Sequence, residues 1–204
     1  SAARYLLTGD AYDKELASLA DIDYLYLSGI SLAILPRHDR QKLIDGLVRA
    51  KERGSKIWFD SNYRHKLWAS TDEAQLWYRK ILQITDIAFL TFDDECQLWG
   101  DSSPEDVFAR CRFYGIPEVV LKRGEESCLI ETNDKKYAVK AISIPSEKVI
   151  DTTAAGDSFN AGYLASRLQG EVLPAECAAL GHCLASEVIQ HRGAIISRKL
   201  VDGL

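Results

Sequence analysis

The sequence predicts an α/β fold built on a mainly parallel sheet with helices on both faces. Short apolar runs alternate with helical stretches of about 10–15 residues, the signature of strand–helix–strand units. No fixed-period repeat or low-complexity tract interrupts this alternation. In such sheets ligands sit beyond the carboxyl ends of the strands. Each polar cluster considered below follows a strand or opens a helix.

The elements can be justified in order. Residues 24–27 are apolar and aromatic and end at Ser28-Gly29. Residues 40–53 read as a helix, because Leu43, Ile44, Leu47, Val48 and Ala50 recur at helical spacing. Gly54 stands where a C-terminal cap glycine is expected. Residues 57–59 form a second strand ending at Asp60. Ser70 or Thr71 caps a helix over 72–82, with Glu73 three residues after Ser70 as in a capping box. Residues 87–90 form a third strand. Helices over 93–99 and 105–114 are separated by Gly100 and Pro104, and residues 119–121 form a fourth strand. Residues 128–131 and 137–139 read as a hairpin around Asn133-Asp134. Amphipathic helices over 155–168 and 175–189 follow.

With 204 residues, one α/β domain can absorb the whole chain, and roughly 70% of the unfolded surface can be buried. Apolar residues make up 47% and charged residues 27%, values of a globular rather than a disordered chain. The net charge of −5 argues against a nucleic-acid partner. The longest apolar stretch, near 25–35, is broken by Ser28, Gly29 and Ser31, and it falls short of the roughly 20 residues of a membrane span. The opening SAARYLL has no charged region followed by an apolar one, so a cytoplasmic protein is expected. Cys96, Cys111, Cys128, Cys177 and Cys183 are an odd count without CxxC and read as free thiols. The chain contains no Met, so it is either processed or part of something longer.

The most informative stretch is 151–162, DTTAAGDSFNAG. Ala154, Ala155 and Gly156 precede a helix, where free backbone N–H groups and the helix dipole favour an anion. Asp157 stands in the first turn, and an acid beside an anion needs a reason. A general base supplies one: Asp157 takes the proton of a hydroxyl attacking a bound γ-phosphate. The plain alternative is a helix start capped by Asp151 or Asp157.

Three further clusters follow strands. Asp60, Asn62 and Arg64 alternate after residues 57–59, so on an extended segment they face one way and can converge on a ligand. Arg64 offers a planar fork for a carboxylate or phosphate; a surface ion pair between Asp60 and Arg64 is the alternative. Asp93, Asp94 and Glu95 could hold Mg²⁺ through waters or serve as acids in a helix first turn. Lys122-Arg123-Gly124 suits nucleotide phosphates or a solvated loop. His38, His65, His182 and His191 show no metal-ligand spacing. His182, on a late helix, either touches a base or packs. No GxxxxGK[ST] or GxGxxG is present, which argues against a P-loop kinase and a dinucleotide dehydrogenase.

With these residues in view, the chain resembles the PfkB (ribokinase-like) family of carbohydrate kinases. DTTAAGDSFNAG is similar to that family's C-terminal signature. The stretches 23–35, 62–70, 86–95, 121–128 (LKRGEESC), 149–159 and 191–197 (HRGAIIS) are similar to its bacterial sugar-acid kinases, and the likeness runs over essentially all of the chain. It implies a three-layer α/β/α fold and transfer of the γ-phosphate of ATP, with Mg²⁺, to the terminal hydroxyl of a keto-sugar acid. Asp157 would be the base and would meet the substrate hydroxyl. The backbone of Ala154, Ala155 and Gly156 would form the anion hole. Arg64 would meet the sugar acid or the transferring phosphate, and Glu95 matches a magnesium-linked glutamate. Asn62, Lys122, Gly124, Gly156 and His182 fall along the nucleotide site. The resemblance implies small-molecule partners, with no nucleic acid and no membrane, and leaves a homo-oligomer open.

Two departures stand out. Phe92 occupies the position of the family's usual Asn before that glutamate. The family's N-terminal strands, sugar lid and glycine-rich N-terminal signature have no counterpart here, so the chain reads as the C-terminal portion of a kinase domain, with a sheet edge uncovered and weak or no turnover expected from it alone. Three other readings compete: a fructokinase or other sugar kinase, since DxNxRxxLW occurs in that branch; a non-catalytic nucleotide- or sugar-sensing module; and a structural fragment without ligand. The presence of Asp157 argues against the sensing module, because a pure binder gains nothing from an acid beside a phosphate.

Overall fold

A computed structural model describes residues 18–170 and 172–201; the first residues, read above for a leader, lie outside the described residues. Six strands run in chain order through a mixed sheet with helices on both sides. The chain divides into two compact units, one ending at Leu121 and one beginning at Lys122.

In the first unit, β1 (Tyr24–Ser28), β2 (Lys56–Asp60) and β3 (Ile87–Thr91) pair in parallel. Ser28 lies opposite Asp60, and Asp60 opposite Phe89. β1 and β2 therefore end level, β3 runs two residues further to Thr91, and the loops that follow leave from one edge. β2, β3 and β4 (Glu118–Lys122) are buried almost throughout. Burial on both faces is why they appear in sequence as apolar runs rather than alternations. β1 differs. It ends the sheet among the described residues, and Tyr24 and Tyr26 are exposed at alternate positions. The Tyr24 ring leans on Trp58 at 4.7 Å, and the Tyr26 hydroxyl reaches Asp60 Oδ2 at 3.4 Å.

The helices of this unit are α1 (Gly29–Ala33), α2 (Arg37–Glu52), α3 (Thr71–Leu82), α4 (Phe92–Trp99) and α5 (Pro104–Phe113). α1 is not evident in the sequence, where an apolar run simply continues. Ser28 breaks the strand there, its N–H donating to Ser31 Oγ at 3.3 Å, and Leu32, Ala33 and Leu35 go to the core. α2 starts three residues before the predicted 40, directly after Pro36, whose ring fixes a φ compatible with helix entry. It stops at Gly54, whose φ of 106° a side chain would resist. Pro104 opens α5 as its first residue, behind a reciprocal cap between Ser103 and Asp106. The expected box at α3 is half formed. Ser70 Oγ accepts from the Glu73 N–H, but the Glu73 carboxylate takes the N–H of Ala69 instead.

Glu73 is displaced because Arg40 claims its other oxygen, at 2.7 Å. Arg40 is buried, donates to the carbonyls of Leu32 and Ala33 at the end of α1, and lies over the rings of Trp68 and Trp77. One guanidinium thus terminates α1 and ties α2 to α3.

The second unit contains the hairpin β5 (Cys128–Thr132) and β6 (Lys136–Val139), with Cys128 opposite Val139 and Glu131 opposite Lys136. Helices α6 (Ala155–Arg167) and α7 (Pro174–Val188) follow, and α7 lies against the hairpin. α6 and α7 meet through glycines. A Cβ on Gly162 would stand 2.8 Å from the Leu180 carbonyl oxygen, and one on Gly181 would stand 2.8 Å from that of Phe159. Backbone cannot yield there as a flexible side chain can, so Gly181→Ala should destabilise the fold by about 1–3 kcal/mol. Denaturant unfolding measures this as a lowered midpoint with the slope retained; an unchanged midpoint would show that the helices part freely.

Candidate active site

In the first unit the carboxyl ends of the parallel strands bring several polar residues to one edge. Ser61 follows β2, is fully buried, and donates its N–H to Phe89 O at 2.9 Å. Its carbonyl accepts the Tyr78 hydroxyl. Gly29 lies so close that a Cβ would fall 1.9 Å from Tyr78 Oη and 2.1 Å from Ser61 O. The glycine after β1 is therefore required by this bond.

The chain does not stay extended beyond Ser61. Asn62 has φ 32°, a left-handed value that Asn tolerates better than most residues. The turn breaks the simple alternation expected of Asp60, Asn62 and Arg64. Asp60 is buried beside Tyr26, and Asn62 Oδ1 is buried with no hydrogen bond. Arg64 is over half exposed; it donates to Tyr63 O at 2.9 Å and pairs with Asp94 at 3.6 Å rather than with Asp60. Asp94 also accepts the Tyr63 N–H at 3.1 Å, so it anchors the loop that carries Arg64.

The three acids after β3 diverge. Asp93 is exposed, Asp94 serves the Arg64 loop, and Glu95 turns inward. Glu95 Oε2 accepts from Arg110 Nη2 at 2.7 Å, and Asp101 holds the other arm of the same guanidinium. Burial pushes the Glu95 carboxyl up to about 7, against the pull of Arg110. Among the described residues no three His, Cys, Asp or Glu side chains gather to hold a metal ion. Glu95 Oε1 is buried without a hydrogen bond. A single carboxylate with a spare acceptor suits the water shell of a nucleotide-borne Mg²⁺, which keeps several of its waters.

In the second unit the site gathers at the start of α6. Ala154 precedes the helix in a left-handed conformation, φ 61°, and no side chain caps it. The Ala155 N–H is turned back to Thr152 O at 3.2 Å. Those of Gly156 and Asp157 have no acceptor within the helix, as its first turn dictates. Neither Asp151 nor Asp157 caps α6. Asp151 instead closes the preceding loop, Oδ1 accepting from Thr153 N–H at 2.8 Å and Oδ2 from Gly193 N–H at 2.9 Å. The Thr153 bonds, side chain and backbone, and then the Gly193 bond hold its carboxyl down at about 2. Asp157 is exposed in the first turn beside the exposed Gly156.

Lys122, at the end of β4, reaches this start. Its Nζ donates to Asn160 Oδ1 at 3.0 Å and would stand 3.5 Å from a Cβ on Gly156. Arg123 folds into its own turn, bonded to Ser127 O and Glu126, and Gly124 supplies φ 59° there. His182, on α7, meets Phe159 edge-on at 4.9 Å. Burial lowers its pKa despite a bond to the Val139 backbone, and its Nε2 is buried without a hydrogen bond. Arg110 and Asn160 were not among the sequence candidates, and Asp151 was considered only as a cap for α6. A basic or amide residue within a helix gives no local sign of the distant partner it will meet.

The family model for pfkB family carbohydrate kinases matches residues 4–200. The 2-dehydro-3-deoxygluconokinase of Escherichia coli K12 is 52% identical over 200 residues, covering 98% of this chain and 64% of that protein. The enzyme of the same name from Haemophilus influenzae is 44% identical over 204 residues, covering 65% of its length. The chain thus spans a little under two thirds of the curated relatives it matches. Among solved structures, aminoimidazole riboside kinase from Salmonella enterica, complexed with aminoimidazole riboside and an ATP analog, superposes with a TM-score of 0.76 at 25% identity over 89% of this chain and 62% of its own. No helix among the described residues is long and apolar enough to cross a membrane.

The buried Glu95 gives a pH test. Its folded pKa of about 7 lies above the unfolded value of 4.5, so the folded state binds the extra proton between those values. The stability this group contributes is full below about pH 4.5 and is lost as pH rises through 7. Glu95→Gln should flatten that fall, read as unfolding free energy at pH 5 and pH 8. An equally steep fall in the variant would assign it to another group.

Proposed function

Because the chain belongs to the pfkB family of carbohydrate kinases, we propose that it is the part of a sugar-acid kinase that binds ATP and performs the transfer, with 2-dehydro-3-deoxygluconate as acceptor and its 6-phosphate as product. The observation that carries this reading is the exposed Asp157 in the first turn of α6, beside N–H groups without helical acceptors and the Lys122 ammonium. An acid at the positive end of a helix, next to a site suited to phosphate, has a task as a base. The relatives at 44–53% identity, all named 2-dehydro-3-deoxygluconokinase, supply the acceptor. A cytoplasmic setting goes with that role.

In the reaction Asp157 accepts the proton of the acceptor's terminal hydroxyl as that oxygen attacks the γ-phosphorus. The new O–P bond forms as the bond to the β-bridging oxygen breaks, and ADP leaves with that electron pair. The N–H groups of Gly156 and its neighbours, Ala154 and Ala155 among them, line the anion hole, with Ala155 also tied to Thr152. Lys122 offsets charge on the transferring phosphoryl, and Gly124 lets the adjoining turn approach the nucleotide. His182 in the second unit and Asn62 in the first are each assigned to nucleotide contact, and each has a buried polar atom without a hydrogen bond. Glu95 would hold a nucleotide-borne Mg²⁺ through its water shell, and the ion would supply charge neutralisation to the phosphates. Arg64 presents its exposed fork to the acceptor's carboxylate, steadied by Asp94.

A coupled ADP-release assay with Mg-ATP and 2-dehydro-3-deoxygluconate, fructose and ribose in parallel tests this reading. Turnover should be confined to the sugar acid; equal or better use of fructose would reassign the enzyme to the fructokinase branch. Asp157→Asn should lower kcat by about 10²–10⁴-fold while ATP binds as well or slightly better. A variant with normal turnover would remove Asp157 from the proton transfer. Arg64→Ala should raise KM for the acidic sugar about tenfold and leave a neutral sugar nearly unaffected; equal effects would direct Arg64 to the phosphate.

A further inference from the structure

We propose that Asn160 is a positioning residue, whose carboxamide oxygen holds the Lys122 ammonium at the start of α6 to receive the nucleotide's phosphates. This rests on reading that helix start as the phosphate site. Lys122 leaves β4 on a flexible four-carbon stem, and nothing intrinsic to such a stem fixes its charge. The positive end of α6 repels an ammonium, so holding one there requires an acceptor. Asn160 provides it at 3.0 Å from one turn into the helix. Gly156 and Asn160 are four residues apart and share a helix face, and the same Nζ would stand 3.5 Å from a Cβ on Gly156. The ammonium therefore lies along the first turn, beside the N–H groups that open it.

The identity of residue 160 is informative. Asn is a poor helix former, and a buried amide is costly unless bonded, yet Asn160 is 1% exposed in the second turn of α6. Its bond to Lys122 satisfies the amide oxygen and gives a reason for an amide at this position. A carboxylate there would grip the ammonium more strongly but neutralise it. A neutral oxygen fixes the ammonium without adding a negative charge of its own beside the anion site. Asp157, the next residue after Gly156, is rotated by about 100° around the helix, so base and ammonium approach the first turn from different sides.

A double-mutant cycle on ATP affinity separates positioning from a merely structural role. Calorimetric titration of ATP into the 204-residue chain would compare the wild type, Lys122→Ala, Asn160→Ala and the double variant. Lys122→Ala should weaken binding about tenfold or more and Asn160→Ala about three- to tenfold, the range expected for charge-assisted bonds. The double variant should be no weaker than Lys122→Ala alone, because Asn160 acts only through the ammonium. The thermal midpoint should instead fall with Asn160→Ala in both backgrounds. Losses in affinity that simply add, or an Asn160→Ala variant that binds like wild type, would overturn the proposal. A wild-type chain that binds no ATP would overturn the phosphate-site reading beneath it, a result distinct from an additive cycle. Should Asn160→Ala fail to fold, Asn160→Ser, which keeps a hydroxyl too short to reach Nζ, completes the same cycle.

Discussion

The left-handed backbone at Ala154 is the constraint on which the chemistry of the second unit depends. A residue with a Cβ adopts such a conformation at a cost of about 1–2 kcal/mol, so the surroundings must impose it. Asp151 does so from three residues earlier by gripping Thr153 on one oxygen and Gly193 on the other. The backbone N–H groups of Ile150 and Asp151 both point to Ile189 O, which fastens the same loop to the end of α7. With Ala154 held in this way, α6 starts without a side-chain cap. A cap would occupy N–H groups that the first turn leaves without helical acceptors. Asp151 remains ionised down to about pH 2. Its clasp therefore persists above the ordinary carboxylate range and is lost only as pH falls toward that value.

The first unit follows a different rule. Its parallel strands end at one edge, and the residues just past those ends are fixed by contacts that leave little room. Gly29 exists to let Tyr78 reach the Ser61 carbonyl. Glu95 is drawn inward by Arg110, which Asp101 and the Trp99 ring also hold. Arg64 alone among these charged groups remains largely exposed, on a loop pinned by Asp94. Around the strand ends the unit buries Glu95 and Arg110 as a pair and leaves the Arg64 guanidinium, paired with Asp94, more than half exposed, the arrangement expected where a site needs a rigid frame and a reachable contact.

Local patterns carried much of this architecture into view. Buried parallel strands appear as apolar runs, Gly54 and Ser70 mark helix ends, and the DTTAAGD segment marks where α6 begins. What stayed hidden depends on partners distant in sequence. Arg40 looked like the polar start of an amphipathic helix, yet it is buried between two tryptophans and displaces half of a predicted capping box. Asp60, Asn62 and Arg64 appeared to share a face, but the left-handed turn at Asn62 follows from tight contacts around Ser61 that no local propensity encodes. Asn160 gave no signal, because its role is set by a lysine 38 residues earlier.

The central claim is that the start of α6, with Lys122, is built to hold phosphate. The most direct measurement is calorimetric titration of the chain with ATP and, separately, with adenosine, each at low and at high salt. The account predicts that ATP binds much more tightly than adenosine, and that this advantage shrinks as salt screens the ammonium and helix end. Equal affinity for the two ligands, or an advantage indifferent to salt, would contradict it.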